Sequence, residues 1–89
     1  MESSQDRIYK AILSETRRAM LRELKGRDLY PEDLAVIFEL APSTVSYHLR
    51  ILEDAGFLSR HRQGKYILCR LKPTGKMLLN LDWSNRFLI

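Results

Sequence analysis

Pro42-Ser43-Thr44-Val45-Ser46-Tyr47-His48-Leu49-Arg50-Ile51-Leu52-Glu53-Asp54-Ala55-Gly56 decides how the rest of the chain is read. Val45, Leu49 and Leu52 recur at i, i+4 and i+7, which is one face of a helix, and His48 falls on the same side. Ser43, Ser46, Tyr47 and Arg50 take the opposite face, with Thr44 beside it. Pro42 suits a first helical position, whose N–H has no partner to lose, and Gly56 after Ala55 is the stop. Upstream, Pro31 opens another helix with Glu32 and Asp33 in its first turn and Leu34, Ile37 and Phe38 as its buried face. Glu39-Leu40-Ala41 must then be a tight turn, because Pro42 disfavours helix at the residue before it. The pair reads as a helix–turn–helix.

Beyond Gly56 the period changes from helical to alternating. Residues 57–62 and 66–71 read as two strands joined by Gln63-Gly64. Alternation turns Ile67, Cys69 and Leu71 inward and Tyr66, Leu68 and Arg70 outward. Arg60, His61, Arg62 and Lys65 stand toward the tip of this hairpin, with Gln63 among them. Pro73 and Thr74 open a last helix carrying Met77, Leu78 and Leu81, and the tail beyond it holds Trp83 and Phe87. On the N-terminal side, Ser3 or Ser4 caps a first helix with Asp6 in its first turn and Ile8, Ala11 and Ile12 at helical spacing. Ser14 caps a second, with Met20, Leu21 and Leu24 as its stripe and Gly26 as its end. The predicted order is helix, helix, helix–turn–helix, hairpin, helix: mainly α with one small β-hairpin.

Composition sets the function classes. The 89 residues are 45% apolar and 29% charged, an ordinary globular balance for one domain spanning 1–89. The net charge of +4 suits a polyanionic partner. No apolar run approaches the ~20 residues of a membrane span. The polar start argues against a signal peptide, and Cys69, the only cysteine, allows no intrachain disulfide. A cytoplasmic location is expected. No nucleophile–base–orienter set, phosphate-cradling glycine loop or metal cluster stands out, so an enzyme is not expected, nor a cofactor.

A helix entering the major groove must pack on one face and present short polar and long cationic groups on the other. Ser43, Thr44, Ser46, Tyr47 and Arg50 meet that need. A hairpin carrying Arg60, His61, Arg62, Gln63 and Lys65 places cations within reach of a phosphate backbone or minor groove. Each feature alone also suits an ordinary solvated surface. Their order and spacing together point to double-stranded DNA. The rival reading is a protein–protein interaction module in a transcription or replication assembly.

These residues carry a resemblance. Leu13-Ser14-Glu15-Thr16-Arg17-Arg18-Ala19-Met20-Leu21-Arg22-Glu23-Leu24 resembles the second helix of the ArsR/SmtB-like winged helix–turn–helix repressors. Leu34-Ala35, then the run from Ser43 to Leu58, is similar to that family's third and recognition helices, and Gln63-Gly64-Lys65-Tyr66 to Arg70-Leu71 resembles its wing. The resemblance implies a winged helix–turn–helix fold and a homodimeric, sequence-specific DNA-binding regulator, usually a repressor. It also implies a dimer interface built mainly from the first and last helices. The chain departs from its metal-sensing relatives. A Cys-x-Cys pair at the start of the third helix is replaced by Leu29-Tyr30-Pro31-Glu32-Asp33-Leu34, and the last helix offers Lys76, Asn80 and Asp82 in place of Asp and His pairs. No metal is therefore expected.

The end segments, about 4–13 and 73–89, carry apolar stripes at Ile8, Ile12, Met77, Leu78, Leu81, Trp83 and Phe87. These are expected to form a two-fold homodimer, which would set two recognition helices about 34–36 Å apart on a roughly palindromic site. His48 is expected to be a core histidine hydrogen-bonded within the domain, and Cys69 a buried small hydrophobe. Arg17 and Arg18 are open between a phosphate contact and a solvated helix face.

Overall fold

The computed structural model describes residues 2–81. Serine caps start the first two helices and prolines the next two. The α1 helix (Ser4–Ile12) starts on Ser3, whose Oγ accepts from Asp6 N while the Asp6 carboxylate accepts from Ser3 N. This reciprocal pair satisfies two N–H groups that the helix cannot bond itself. The α2 helix (Glu15–Glu23) starts on Ser14, whose hydroxyl accepts from Arg17 N at 3.2 Å. Gly26 then turns the chain at φ 88°, where a side chain would be strained. The α3 helix (Pro31–Phe38) and α4 (Pro42–Asp54) both open on proline. Between them Glu39 takes a left-handed conformation, φ 53° and ψ 47°, and Leu40 N donates to Ala35 O at 3.1 Å. Ala41 is extended, as the following proline requires.

Strands β1 (Leu58–Gln63) and β2 (Tyr66–Leu71) pair antiparallel, from Leu58 opposite Leu71 to Gln63 opposite Tyr66. The connection is Gly64-Lys65, one residue later than expected, because Gln63 still pairs within the ladder. Gly64 at φ 62° supplies the positive φ that the first position of a type II′ hairpin turn demands. Strand β1 also begins a residue late. Phe57 is spent on the joint: its N–H donates to Leu52 O at 3.0 Å and its carbonyl accepts from Lys72 N at 3.0 Å. A single bridge between Leu29 and Cys69 ties the loop before α3 to β2, through bonds of 3.1 and 2.7 Å. The last helix is α5 (Pro73–Leu79).

The core is made of Met20, Leu21, Leu24, Leu34, Val45, Leu49, Leu52, Leu58 and Cys69, all at 2% exposure or less. Each large side chain withdrawn from water stabilises by about 1.5–3 kcal/mol. Ile51 and Leu78 also turn inward. Ile37 does not: it is 40% exposed, because the helices and strand packed on α3 cover Leu34 and half-cover Ala35 and Phe38. The α5 helix seats closely. A Cβ on Gly75 would lie 2.5 Å from Leu71 Cδ1 and closer still to the Phe57 carbonyl oxygen. Only glycine lets this first turn approach the hairpin base.

Candidate nucleic-acid interface

Helix α4 divides as its spacing predicts. Val45, Leu49, Ile51 and Leu52 are buried, while Ser43, Ser46, Tyr47 and Arg50 are exposed and Thr44 is half-covered. The outward face holds hydroxyls, a phenol and a guanidinium, all able to bond base edges or phosphates. The α4 helix opens at Pro42, after the turn that Leu40 anchors, so its first turn sits at the surface.

His48 sits half-buried between the two faces. Arg17 Nη1 donates to its Nδ1 at 3.0 Å, which places the ring proton on Nε2. The same guanidinium donates through Nη2 to Lys10 O at 2.6 Å. Arg17 thus joins the end of α1, the start of α2 and the middle of α4. Burial lowers the Arg17 pKa from its ordinary value, and burial, then the Arg17 charge, hold the His48 imidazole below its ordinary 6.5. The Tyr47 ring lies 5.6 Å from the His48 ring, centroid to centroid. Arg18 Nη1 donates to Ile12 O. Both arginines therefore hold the α1–α2 joint, which is neither of the roles open in the sequence. The signal was present: each precedes an apolar stripe beside a helix end whose carbonyls need donors.

The cations of the hairpin separate into two groups. Arg60 is bound, with Nε and Nη2 at 3.0 and 2.7 Å from Glu53 Oε1 at the end of α4. Arg70 is bound likewise to Asp28 Oδ2, at 3.0 and 2.8 Å. Arg62 and Lys65 remain exposed toward the turn, and Lys65 Nζ lies 5.6 Å from the centre of the Tyr66 ring. His61 Nε2 meets Ser59 Oγ at 2.8 Å, and Gln63 Oε1 accepts from Tyr30 Oη at 3.2 Å. The structure therefore sets Arg62 and Lys65 on the same hairpin tip as His61 and Gln63, and draws Arg60 back onto α4.

Cys69 is fully buried, and burial pushes its thiol up to about 11 despite the nearby Arg60 charge. It belongs to the buried apolar cluster, as expected of a small hydrophobe, with Arg60 opposite it across the ladder. Among the described residues no three His, Cys, Asp or Glu side chains converge as a metal cluster would. The start of α3 offers Glu32 and Asp33 without a thiol, and the Asp33 carboxylate accepts from Tyr30 N at 2.9 Å.

A helix–turn–helix with one open polar face, flanked by a two-stranded basic wing, defines a winged helix–turn–helix transcriptional regulator. Residues 14–60 match the bacterial regulatory proteins of the arsR family. The chain belongs to that family. It is 36% identical over 81 residues to the transcriptional repressor SdpR of Bacillus subtilis (strain 168), spanning 91% of this chain and 89% of that protein. A crystal structure of a possible transcriptional regulator for arsenical resistance superposes with a TM-score of 0.72 at 30% identity, covering 83% of this chain and 76% of that one. The solution structure of a homodimeric winged helix–turn–helix DNA-binding domain from Mycobacterium bovis shares the fold, with a TM-score of 0.75 at 22% identity over 85% of this chain and 70% of that one. The protein is a transcriptional regulator and not an enzyme. No helix among the described residues is long and apolar enough to cross a membrane.

Proposed function

We propose that this protein is a sequence-specific double-stranded-DNA-binding repressor that acts as a cytoplasmic homodimer and responds to no metal. The observation that carries the reading is the outward face of α4, with Ser43, Ser46, Tyr47 and Arg50 exposed, standing on a scaffold that also projects Arg62 and Lys65. Recognition-helix groups read base edges, with Thr44 in support. The wing adds affinity through phosphates, with His61 and Gln63 at its tip. Arg60 acts by holding the wing on Glu53. The repressor direction is supported by the description of the Bacillus subtilis relative.

The dimer reading is supported by apolar side chains left uncovered on the end helices and just beyond them. Ile8 is 39% exposed, Tyr9 49%, Leu13 65%, Met77 70% and Leu81 40%. Ile12 is half-covered and Leu78 is buried, so both serve this chain's own core. Trp83 and Phe87 lie outside the described residues. A two-fold dimer covers such a patch on both subunits and repeats the recognition helix on a roughly palindromic site. Metal independence is supported by the chemistry of the nitrogen and sulfur donors: His48 accepts from Arg17, His61 meets Ser59 and Cys69 is a buried thiol.

Selection of bound duplexes from a random pool, followed by a salt titration on the winner, tests the function. The expected result is a palindromic consensus with a steep salt dependence. A protein that enriches no sequence and shows a flat salt response is an interaction module, not a DNA-binding repressor.

A further inference from the structure

A groove of about 410 Å³ runs between the start of α3, the start of α4 and the wing. Pro31, Ala35, Pro42 and Ile67 give it apolar walls. Its charged lining is the Glu32 carboxylate and the Lys65 ammonium, and the Tyr66 ring forms one side. A second hollow of about 270 Å³ shares Glu32 and Tyr66 and adds Tyr30 and Asp33. The Tyr30 and Tyr66 rings stand 5.7 Å apart at 60°, a tilted pair, and both residues line the second hollow. The volume lies in the range of small-molecule sites, which are apolar with a few placed polar groups.

The chemistry of the lining selects the occupant. The two neighbouring hollows, which share Glu32 and Tyr66, are lined by two acidic residues and one lysine, so the balance is negative. Two aromatic rings beside carboxylates attract an organic cation, through ring faces and charge together. Both carboxylates are exposed, but Asp33 is partly committed to Tyr30 N, which leaves Glu32 as the main counter-charge. Lys65 already lies 5.6 Å from the Tyr66 ring centre, so the wing's own side chain samples the position that a ligand cation would take. The apolar chamber beyond needs a body without charge. We propose that this groove binds a small organic cation carrying an apolar, ring-sized body, with the ammonium between Glu32 and the Tyr30–Tyr66 pair.

The groove lies between α3, the start of the proposed recognition helix α4 and the wing, and Tyr30 Oη also holds Gln63 in the wing. A bound cation repels Lys65 from the Tyr66 ring and disturbs the Tyr30–Gln63 bond. Occupancy therefore moves the wing tip relative to α3 and α4. Only the regulatory meaning of that motion rests on the repressor reading; the binding does not.

The test uses the full chain, labelled with ¹⁵N and without DNA, titrated with benzyltrimethylammonium chloride. Benzyl alcohol supplies the ring without the charge, and tetramethylammonium the charge without the ring. The expected result is saturable amide shifts at Glu32, Ala35 and Lys65 to Ile67, with the Gln63 side-chain amide moving in step. Both controls should bind at least tenfold more weakly. Glu32→Gln, at an exposed position, should weaken binding about tenfold with the rest of the spectrum unchanged. Ala35→Leu should fill the chamber and abolish it. The proposal is overturned by an absence of saturable shifts up to tens of millimolar, by equal binding of benzyl alcohol, or by shifts that Glu32→Gln leaves unaltered. Because no DNA is present, failure here is separate from failure of the duplex-binding assay.

Discussion

Arg17 Nη1 and His48 Nδ1 lie 3.0 Å apart although 31 residues separate them in the chain. The bond joins the first turn of α2 to the middle of α4, and the Lys10 carbonyl on the same guanidinium brings in α1. It exists only while His48 is neutral, since a protonated imidazole has no acceptor nitrogen. The helix that faces outward is thus held from behind by a titratable contact.

That contact makes stability depend on pH. The folded pKa of His48 lies below its ordinary 6.5, so the unfolded chain binds the extra proton first. The stabilisation is complete above pH 6.5 and is lost as pH falls through the lower folded value. Urea denaturation of the protein and of His48→Gln between pH 7.5 and 5 should show a steeper loss for the unsubstituted chain. Identical pH slopes would remove His48 from the account. Arg17→Ala should cost about 1–3 kcal/mol at pH 7.5, because it unbinds a charged donor from two acceptors.

Binding to DNA should distinguish the free cation from the bound one. Arg50→Ala and Tyr47→Ala are each expected to cost about 1–3 kcal/mol of affinity for the selected operator. Arg62→Ala should reduce the salt slope by about one unit. Arg60→Ala should leave that slope alone and lower folding stability by up to about 1 kcal/mol, the usual range of a partly exposed ion pair. A slope that falls with Arg60 and not with Arg62 would reverse the assignment.

Cys69 should be chemically silent. It is fully buried with its thiol at about 11, so the thiolate that reacts is absent at neutral pH. A disulfide-exchange reagent at pH 8 should label less than a tenth of the native protein in the time it labels all of the unfolded chain. Fast native labelling would make the thiol a candidate sensor.

Gly75→Ala should destabilise the fold by about 1–3 kcal/mol, even though alanine favours helix, because the new methyl meets Leu71 and the Phe57 carbonyl. Thermal melts measure this directly. An unchanged or raised melting temperature would mean that α5 is free to shift away from the hairpin base.

Sedimentation equilibrium at micromolar concentration should give twice the 10.5 kDa chain mass. Leu13→Glu with Met77→Glu, both at exposed positions, should return it to the single-chain mass with the helical content intact. A dimer that survives this pair of charges is built elsewhere.

The sequence alone determined the order of the elements and most of their ends, to within a residue at the hairpin. Ser3, Ser14, Pro31, Pro42, Gly26 and Gly64 act on their own neighbours within a few residues, so their reading needs no tertiary knowledge. The spacing of Val45, Leu49 and Leu52 likewise settled which side of α4 stays open, because helical period is a local property. Tertiary structure decided which charges are at liberty. Arg60 and Arg62 look alike and share a face of one strand by alternation, but the hairpin docks on α4 near its base, so only Arg60 reaches Glu53. Arg17 looks like a surface arginine until α1, α2 and α4 close around it. Leu78 and Met77 are neighbours of similar character, yet one is 8% exposed and the other 70%. Local spacing specifies which residues share a face. Whether that face meets a carboxylate, a carbonyl or open water depends on how elements far apart in the chain pack, and that is a property of the whole fold.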